Sequence, residues 1–305
     1  MGSPAEKPYE KRMKKKLKFR HLVEAIIIWA LPFSLRPLPF AIRVRVGGVF
    51  VGGAIRLIPS LRKRIQDNLS LIYPNMQPDE KKALYKSISK NIGERFIEAF
   101  YNQEFDKWIK NLRYADDAFD KIIEAQEAGH PVILVSGHLG QLQAPRVVLA
   151  NLGHPSAAIY KENANPIFEG RHRKNMTYPD APFFATGPAG MRKMLKHLKS
   201  GGMVSVLLDQ RANDGELIDF MGKASLTSTA MASLAIRTNA LMIPVYSVVR
   251  SDKSGTDIYV EAPIKHTDPL QMTQEFNDSL SARVWKNPEQ WYWLHKRWAR
   301  PDLQE

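Results

Sequence analysis

Apolar positions in this chain come in short continuous runs set between stretches of helical periodicity. Val132–Ser136, Ala157–Tyr160, Val204–Leu208 and Met242–Val249 are such runs, and Ile258–Glu261 has the look of an edge strand. Runs of about four to eight apolar residues bounded by turn residues predict strands buried on both faces. Between them Gln141–Asn151, Pro166–Asn175, Ala189–Lys199 and Thr227–Thr238 predict helices. Asp79–Asn102 predicts a longer one, opened by Pro78 and Asp79, with Leu84, Ile88, Ile92 and Phe96 on one face at i+4 spacing. Strands alternating with helices indicate an α/β domain, a mostly parallel central sheet flanked by helices.

The N-terminal part follows a different pattern. Met1-Gly2-Ser3 reads as a cloning remnant. Lys11–Arg20 is a basic run leading into Leu22–Leu35, an apolar stretch interrupted by Glu24 and Pro32. A transmembrane helix needs about 20 apolar residues, so this stretch predicts a helix lying in a membrane interface, with one short span or a plain core helix as the alternatives. Trp29 and Phe33 suit the headgroup level, and the flanking cations suit anionic lipid. The expected division is a basic tail over 1–20, a membrane-anchoring segment over 21–45 and one globular domain over 46–305.

Charge sharpens this division. The 305 residues carry a net +13, but residues 1–64 hold 15 Lys/Arg against only Glu6, Glu10 and Glu24. The other 241 residues hold 29 basic and 28 acidic side chains. Nucleic-acid binding calls for basic residues across a whole face, so no nucleic-acid partner is expected, whereas an acidic surface met by the N-terminus fits. With 44% hydrophobic residues a sizeable core can form, and the absence of cysteine excludes disulfides, thiolate metal sites and cysteine nucleophiles.

Candidate chemistry concentrates after the run Val132–Ser136, where Gly137 and Gly140 flank His138. Sites in α/β folds gather at the carboxyl ends of strands, and a tight turn there exposes an imidazole suited to proton abstraction. A structural turn remains the alternative for this segment. No G-x-S-x-G elbow, H-E-x-x-H pair, dinucleotide fingerprint or Walker loop is present, and no metal-ligand spacing. No metal or cofactor is expected.

An ordered set of motifs resembles the lysophospholipid acyltransferase superfamily, in particular the late acyltransferases of lipid A biosynthesis in Gram-negative bacteria. The set comprises His138 with position 143 five residues on, Tyr160-Lys161, Asn165-Pro166, Arg171 and Arg173, Asp209-Gln210, Phe220-Met221-Gly222 and Ile243-Pro244. It ends in Pro288-Glu289-Gln290-Trp291 and Trp293-Leu294-His295-Lys296-Arg297-Trp298. The resemblance spans about residues 20 to 300.

The resemblance implies acyl transfer from an acyl carrier protein thioester to a hydroxyl of a phosphorylated lipid acceptor, at the cytoplasmic face of the inner membrane, with His138 as general base. Arg171 and Arg173 are candidates for substrate phosphate, Lys161 for substrate binding, Gln210 for shaping the site, and Asp209 for ordering an arginine. The family carries a carboxylate where this chain has Gln143. A neutral amide cannot stabilise an imidazolium, and in a serine protease the corresponding Asp-to-Asn change costs about 10⁴ in turnover. Gln143 therefore reads as an engineered Glu→Gln change that disables the enzyme. Five residues along an ideal helix lie far off one face, so His138 must sit in a turn and residue 143 in the following helix. Two alternatives stand: a membrane acyltransferase with another acceptor, such as a phosphoinositol mannoside or ornithine lipid, and a non-catalytic basic module.

Overall fold

A computed structural model describes residues 29–101, 104, 112–160, 165, 169 and 181–298. The basic run Lys11–Arg20, the helix expected over 166–175, and Lys161, Arg171 and Arg173 lie outside the described residues. Three helices, α1 (Phe40–Leu57), α2 (Pro59–Ile72) and α3 (Pro78–Phe100), precede the sheet. Then follow β1 (Leu112–Arg113), α4 (Asp120–Glu127), β2 (Val132–Ser136), α5 (Ala144–Asn151), β3 (Ala157–Tyr160), β4 (Phe183–Ala185), α6 (Pro188–Lys199) and β5 (Met203–Leu207). A hairpin of β6 (Glu216–Phe220) and β7 (Lys223–Thr227) leads to α7 (Ala230–Thr238), β8 (Leu241–Val249), β9 (Thr256–Val260) and α8 (Pro269–Lys286).

Seven strands form one sheet in the order β1-β9-β8-β2-β5-β3-β4, parallel throughout except for the antiparallel pair β8–β9. The expected edge strand thus has β1 outside it. β2 is central because both of its faces are buried. Ile133 and Val135 pack with α2, α3, α7 and α8, while Val132 and Leu134 pack with α1, α4 and α5. That two-sided burial is why β2 reads as an unbroken apolar run.

Part of the expected anchoring segment lies within the folded domain. No helix among the described residues is long and apolar enough to cross a membrane. Residues 29–45 are packed into the domain: Leu35, Phe40 and Val44 are buried with Ile97 and Phe100, and Arg43 pairs with Glu104 at 2.7 Å. The boundary expected at residue 46 falls inside α1.

Alpha1 crosses α3 at glycines. A Cβ on Gly93 would stand 2.6 Å from the Gly48 carbonyl oxygen and 3.0 Å from the Gly52 nitrogen, so the two backbones are in direct contact. Glycine disfavours helix, which hides α1 from periodicity; packing against α3 outweighs that cost. Gly93→Ala is expected to lower stability by about 1–3 kcal/mol, read as a lower urea midpoint at unchanged slope.

Candidate active site

The register of β2 against β5 builds the site. Ser136 lies opposite Leu207, and the Leu208 N–H donates to the Ser136 carbonyl. Each chain then runs on two residues, which places His138 and Asp209 face to face beyond the strand ends. His138 Nδ1 lies 2.7 Å from Asp209 Oδ1, and the His138 backbone N–H donates to Oδ2 at 2.6 Å. Trp291 Nε1 donates to the same Oδ2 at 2.8 Å. Asp209 is fully buried, while the imidazole keeps 22% of its surface exposed.

Burial alone would raise the Asp209 carboxyl, but the charge and hydrogen bonds of His138, with His295 nearby, outweigh it and hold it well below the usual carboxylate range. An ionised Asp209 accepting from Nδ1 sets the tautomer and leaves the Nε2 lone pair as an acceptor, here of a long hydrogen bond from the Gln210 amide. Nε2 faces the Gln210 amide at 3.4 Å and a cavity of 510 Å³ that Leu134, Leu142, Gln143, Ile159 and Gln210 help to line.

The turn itself depends on Gly140, which adopts φ +60°; a Cβ there would overlap the Ser247 carbonyl oxygen. Gln141 anchors the far side. It is 3% exposed, donates to Glu98 Oε1 at 3.0 Å, and its side-chain oxygen accepts from the Thr256 hydroxyl. Burial pushes the Glu98 carboxyl up. His138 sits in the turn and Gln143 caps α5 rather than lying inside it, because the helix starts only at Ala144.

Several expected roles change. His138's ring N–H meets Asp209, so the carboxylate sought at position 143 is supplied from the end of β5. Gln143 is not hydrogen-bonded to His138; its Oε1 accepts from Arg146 Nη1 at 2.9 Å. Asp209 orders a histidine and a tryptophan instead of an arginine. Trp291, Trp293 and Trp298 are buried in an irregular segment after α8, while Trp285 on α8 stays 45% exposed.

That C-terminal segment closes over the turn. The Tyr292 N–H donates to the His138 carbonyl at 3.0 Å and the Gly140 N–H to the Gln290 carbonyl at 3.1 Å. Arg297, completely buried, donates to the Gln210 carbonyl, the Leu226 carbonyl and the Thr227 hydroxyl. Burial pushes this guanidinium down to about 10. The His295 ring stands 4.5 Å from that of His138.

His138, Asp209 and His295 are the one set of three among the described residues whose ligand atoms all lie within 4.8 Å. Asp209 already accepts three hydrogen bonds, so the arrangement fits a hydrogen-bonded base better than a cation site. Sequence reasoning passed over Trp291, His295 and Arg297 as individual residues, although all three lie in the quoted C-terminal motifs. It gave Gln141 and Arg146 no role, and neither carries a local signal.

The model of the bacterial lipid A biosynthesis acyltransferase family matches residues 12–300. This chain belongs to that family. Among similar members, a lipid A biosynthesis acyltransferase of Haemophilus influenzae is 24% identical over 253 residues, covering 77% of this chain and 76% of its own. A lipid A biosynthesis lauroyltransferase of Escherichia coli is 22% identical over 289 residues, covering 87% and 88%. A phosphatidylinositol mannoside acyltransferase of Mycolicibacterium smegmatis is 26% identical over 186 residues, covering 59% and 60%. The histidine box and the C-terminal tryptophan motif of this family member are distant in sequence and joined in space, through the Trp291–Asp209–His138 hydrogen bonds.

Half-buried His295 gives the site a pH signature. Burial, reinforced by His138 and Arg297 and opposed by Asp209, pushes its imidazole down to about 4 from 6.5. As pH falls below about 6.5 the unfolded chain takes up that proton first, so stability is full above that value and is lost progressively down to about 4. Urea unfolding is expected to show a loss on the order of 2–3 kcal/mol across this window, and His295→Gln flattens it.

Proposed function

We propose that this acyltransferase moves a fatty acyl chain from an acyl carrier protein thioester to a hydroxyl of a lipid A precursor, and that it is active as it stands. The observation that carries this reading is the His138–Asp209 pair at 2.7 Å with its Nε2 on the cavity. Because Asp209 supplies the carboxylate, no charge at position 143 is required for the base to work. Nε2 takes the hydroxyl proton as the acceptor oxygen attacks the thioester carbonyl carbon. The new C–O bond forms, the C–S bond breaks, and the imidazolium returns the proton to the departing thiolate. Asp209 stabilises that imidazolium as the corresponding aspartate does in serine proteases. The Gln210 amide beside Nε2 is the candidate donor to the tetrahedral oxyanion. Arg171 and Arg173 remain candidates for substrate phosphate, and Lys161 for substrate binding.

A second reading, transfer to a phosphoinositol mannoside, draws support from the mycobacterial relative. Mass spectrometry of products made from acyl carrier protein thioesters with a lipid A precursor, or with the mannoside, separates the two. A chain that acylates neither defeats both. Asp209→Asn is expected to lower turnover by about 10³–10⁴ with little change in KM; a drop of less than tenfold in a folded variant removes Asp209 from the mechanism.

We also propose that the enzyme works on the cytoplasmic face of a Gram-negative inner membrane, meeting it through residues 11–45 and the outer face of α1. Support comes from the basic N-terminus and from exposed apolar side chains: Phe33 is 66% exposed, Phe50 62% and Leu57 81%. Large exposed apolar groups beside cations suit an interfacial contact. Phe50→Asp with Leu57→Asp is expected to weaken sedimentation with anionic vesicles several-fold while leaving urea stability unchanged. Equal sedimentation removes α1 from the contact.

A further inference from the structure

Arg146 is an unusual residue for its position. It lies in the first turn of α5, is 5% exposed, and lines the same cavity as His138. Its hydrogen bonds go to two neutral acceptors, Gln143 Oε1 at 2.9 Å and the Ser156 carbonyl at 3.2 Å, and its Nε is buried with no partner at all. Among the described residues no carboxylate forms an ion pair with it. Buried cations are normally paired, because taking a charge out of water costs several kcal/mol that only an opposite charge or a full set of hydrogen bonds offsets. Burial alone pushes this guanidinium down to about 10, with no neighbouring charge raising it.

Gln143 completes the picture. Its oxygen is held by Arg146, and among the described residues its amide N–H groups have no hydrogen-bond partner. The two side chains together present one cation and unused N–H donors to the cavity, with no acidic group among the described residues that line it. A glutamate at 143 would do the opposite, pairing with Arg146 and filling its charge from within. Glutamine therefore keeps the cation open, and the proton-relay carboxylate is found elsewhere, at Asp209.

We propose that Arg146 and Gln143 form an anion subsite in the cavity beside His138 that holds a phosphate group of a substrate. A tetrahedral oxyanion matches the donor set, since guanidinium and amide N–H groups both donate and neither accepts at those positions. The assignment to a substrate rests on the acyl-transfer reading, which offers two sources of such a group. One is the phosphodiester of the carrier protein's prosthetic arm; the other is a phosphate on the lipid acceptor. Either would bring its reactive centre toward His138.

The test needs no turnover at first. The full chain is titrated with inorganic phosphate, against chloride at equal ionic strength, and the shift in melting temperature is recorded. Phosphate is expected to raise the melting temperature of the parent, to do so less in Arg146→Lys, and to do nothing in Arg146→Gln or Gln143→Glu. Gln143→Glu should itself melt no lower than the parent, because it gains an ion pair, so loss of the phosphate response there is not loss of folding. In steady-state assays Gln143→Glu is expected to raise one substrate's KM about ten- to a hundredfold. Inorganic phosphate should compete with that same substrate, the thioester donor if the arm is held, the lipid acceptor if the headgroup is. An equal phosphate response in all four proteins overturns the subsite, as does a Gln143→Glu enzyme with raised kcat and unchanged KM. Phosphate that binds through Arg146 yet competes with neither substrate overturns the substrate assignment. Acyl transfer that is absent while phosphate still binds through Arg146 defeats the acyl-transfer reading and leaves the anion site standing.

Discussion

The carboxylate of Asp209 is a fully buried charge, and the surrounding structure is arranged to meet it. An ionised group cut off from water and left unpaired would cost several kcal/mol. Here the His138 ring, the His138 backbone N–H and the Trp291 indole all donate to it. Each of those donors fixes a different part of the chain. The two from His138 hold the turn after β2 against the end of β5, and the indole pulls the C-terminal segment over both. Loss of the carboxylate would therefore loosen the turn, the segment and the base together.

Support for the C-terminal segment comes from the N-terminal helices. Asn68 on α2 donates to the Trp293 and His295 carbonyls, and Trp291, Trp293 and Trp298 share one core with Ile65, Leu69 and Phe220. Arg297 then ties that core to the Gln210 carbonyl and to the β6–β7 hairpin. The three helices before the sheet thus act on the site at second hand, by holding the wall that holds Asp209.

Charge is distributed on two scales. The N-terminal fifth carries nearly all of the excess positive charge, suited to long-range attraction toward an anionic surface. Within the site the balance is local: a buried anion neutralised by hydrogen bonds beside the imidazole, and a buried cation, Arg146, in the wall of the same cavity. The first scale is sensitive to salt, whereas the second is shielded from it by burial.

The α/β class, the positions of β2, β3, β5 and β8, the long helix α3 and the prominence of His138 were all legible in the sequence. Unbroken apolar runs, i+4 spacing and glycines around a histidine are local signals, set by what each short stretch must bury or expose. α1 escaped because its glycines serve a contact with α3, which lies some forty residues away, and α8 because its buried positions are spread among polar ones. The carboxylate partner of His138 could not be read from spacing. The motif pointed five residues along the chain to Gln143, while the register of two parallel strands brought Asp209 from seventy-one residues away. Sequence pattern determined which residues are apolar enough to be buried and where the turns fall. Strand pairing, a non-local choice made by packing both faces of the sheet, decided which polar groups meet at the ends of those strands, and so decided the chemistry of the site.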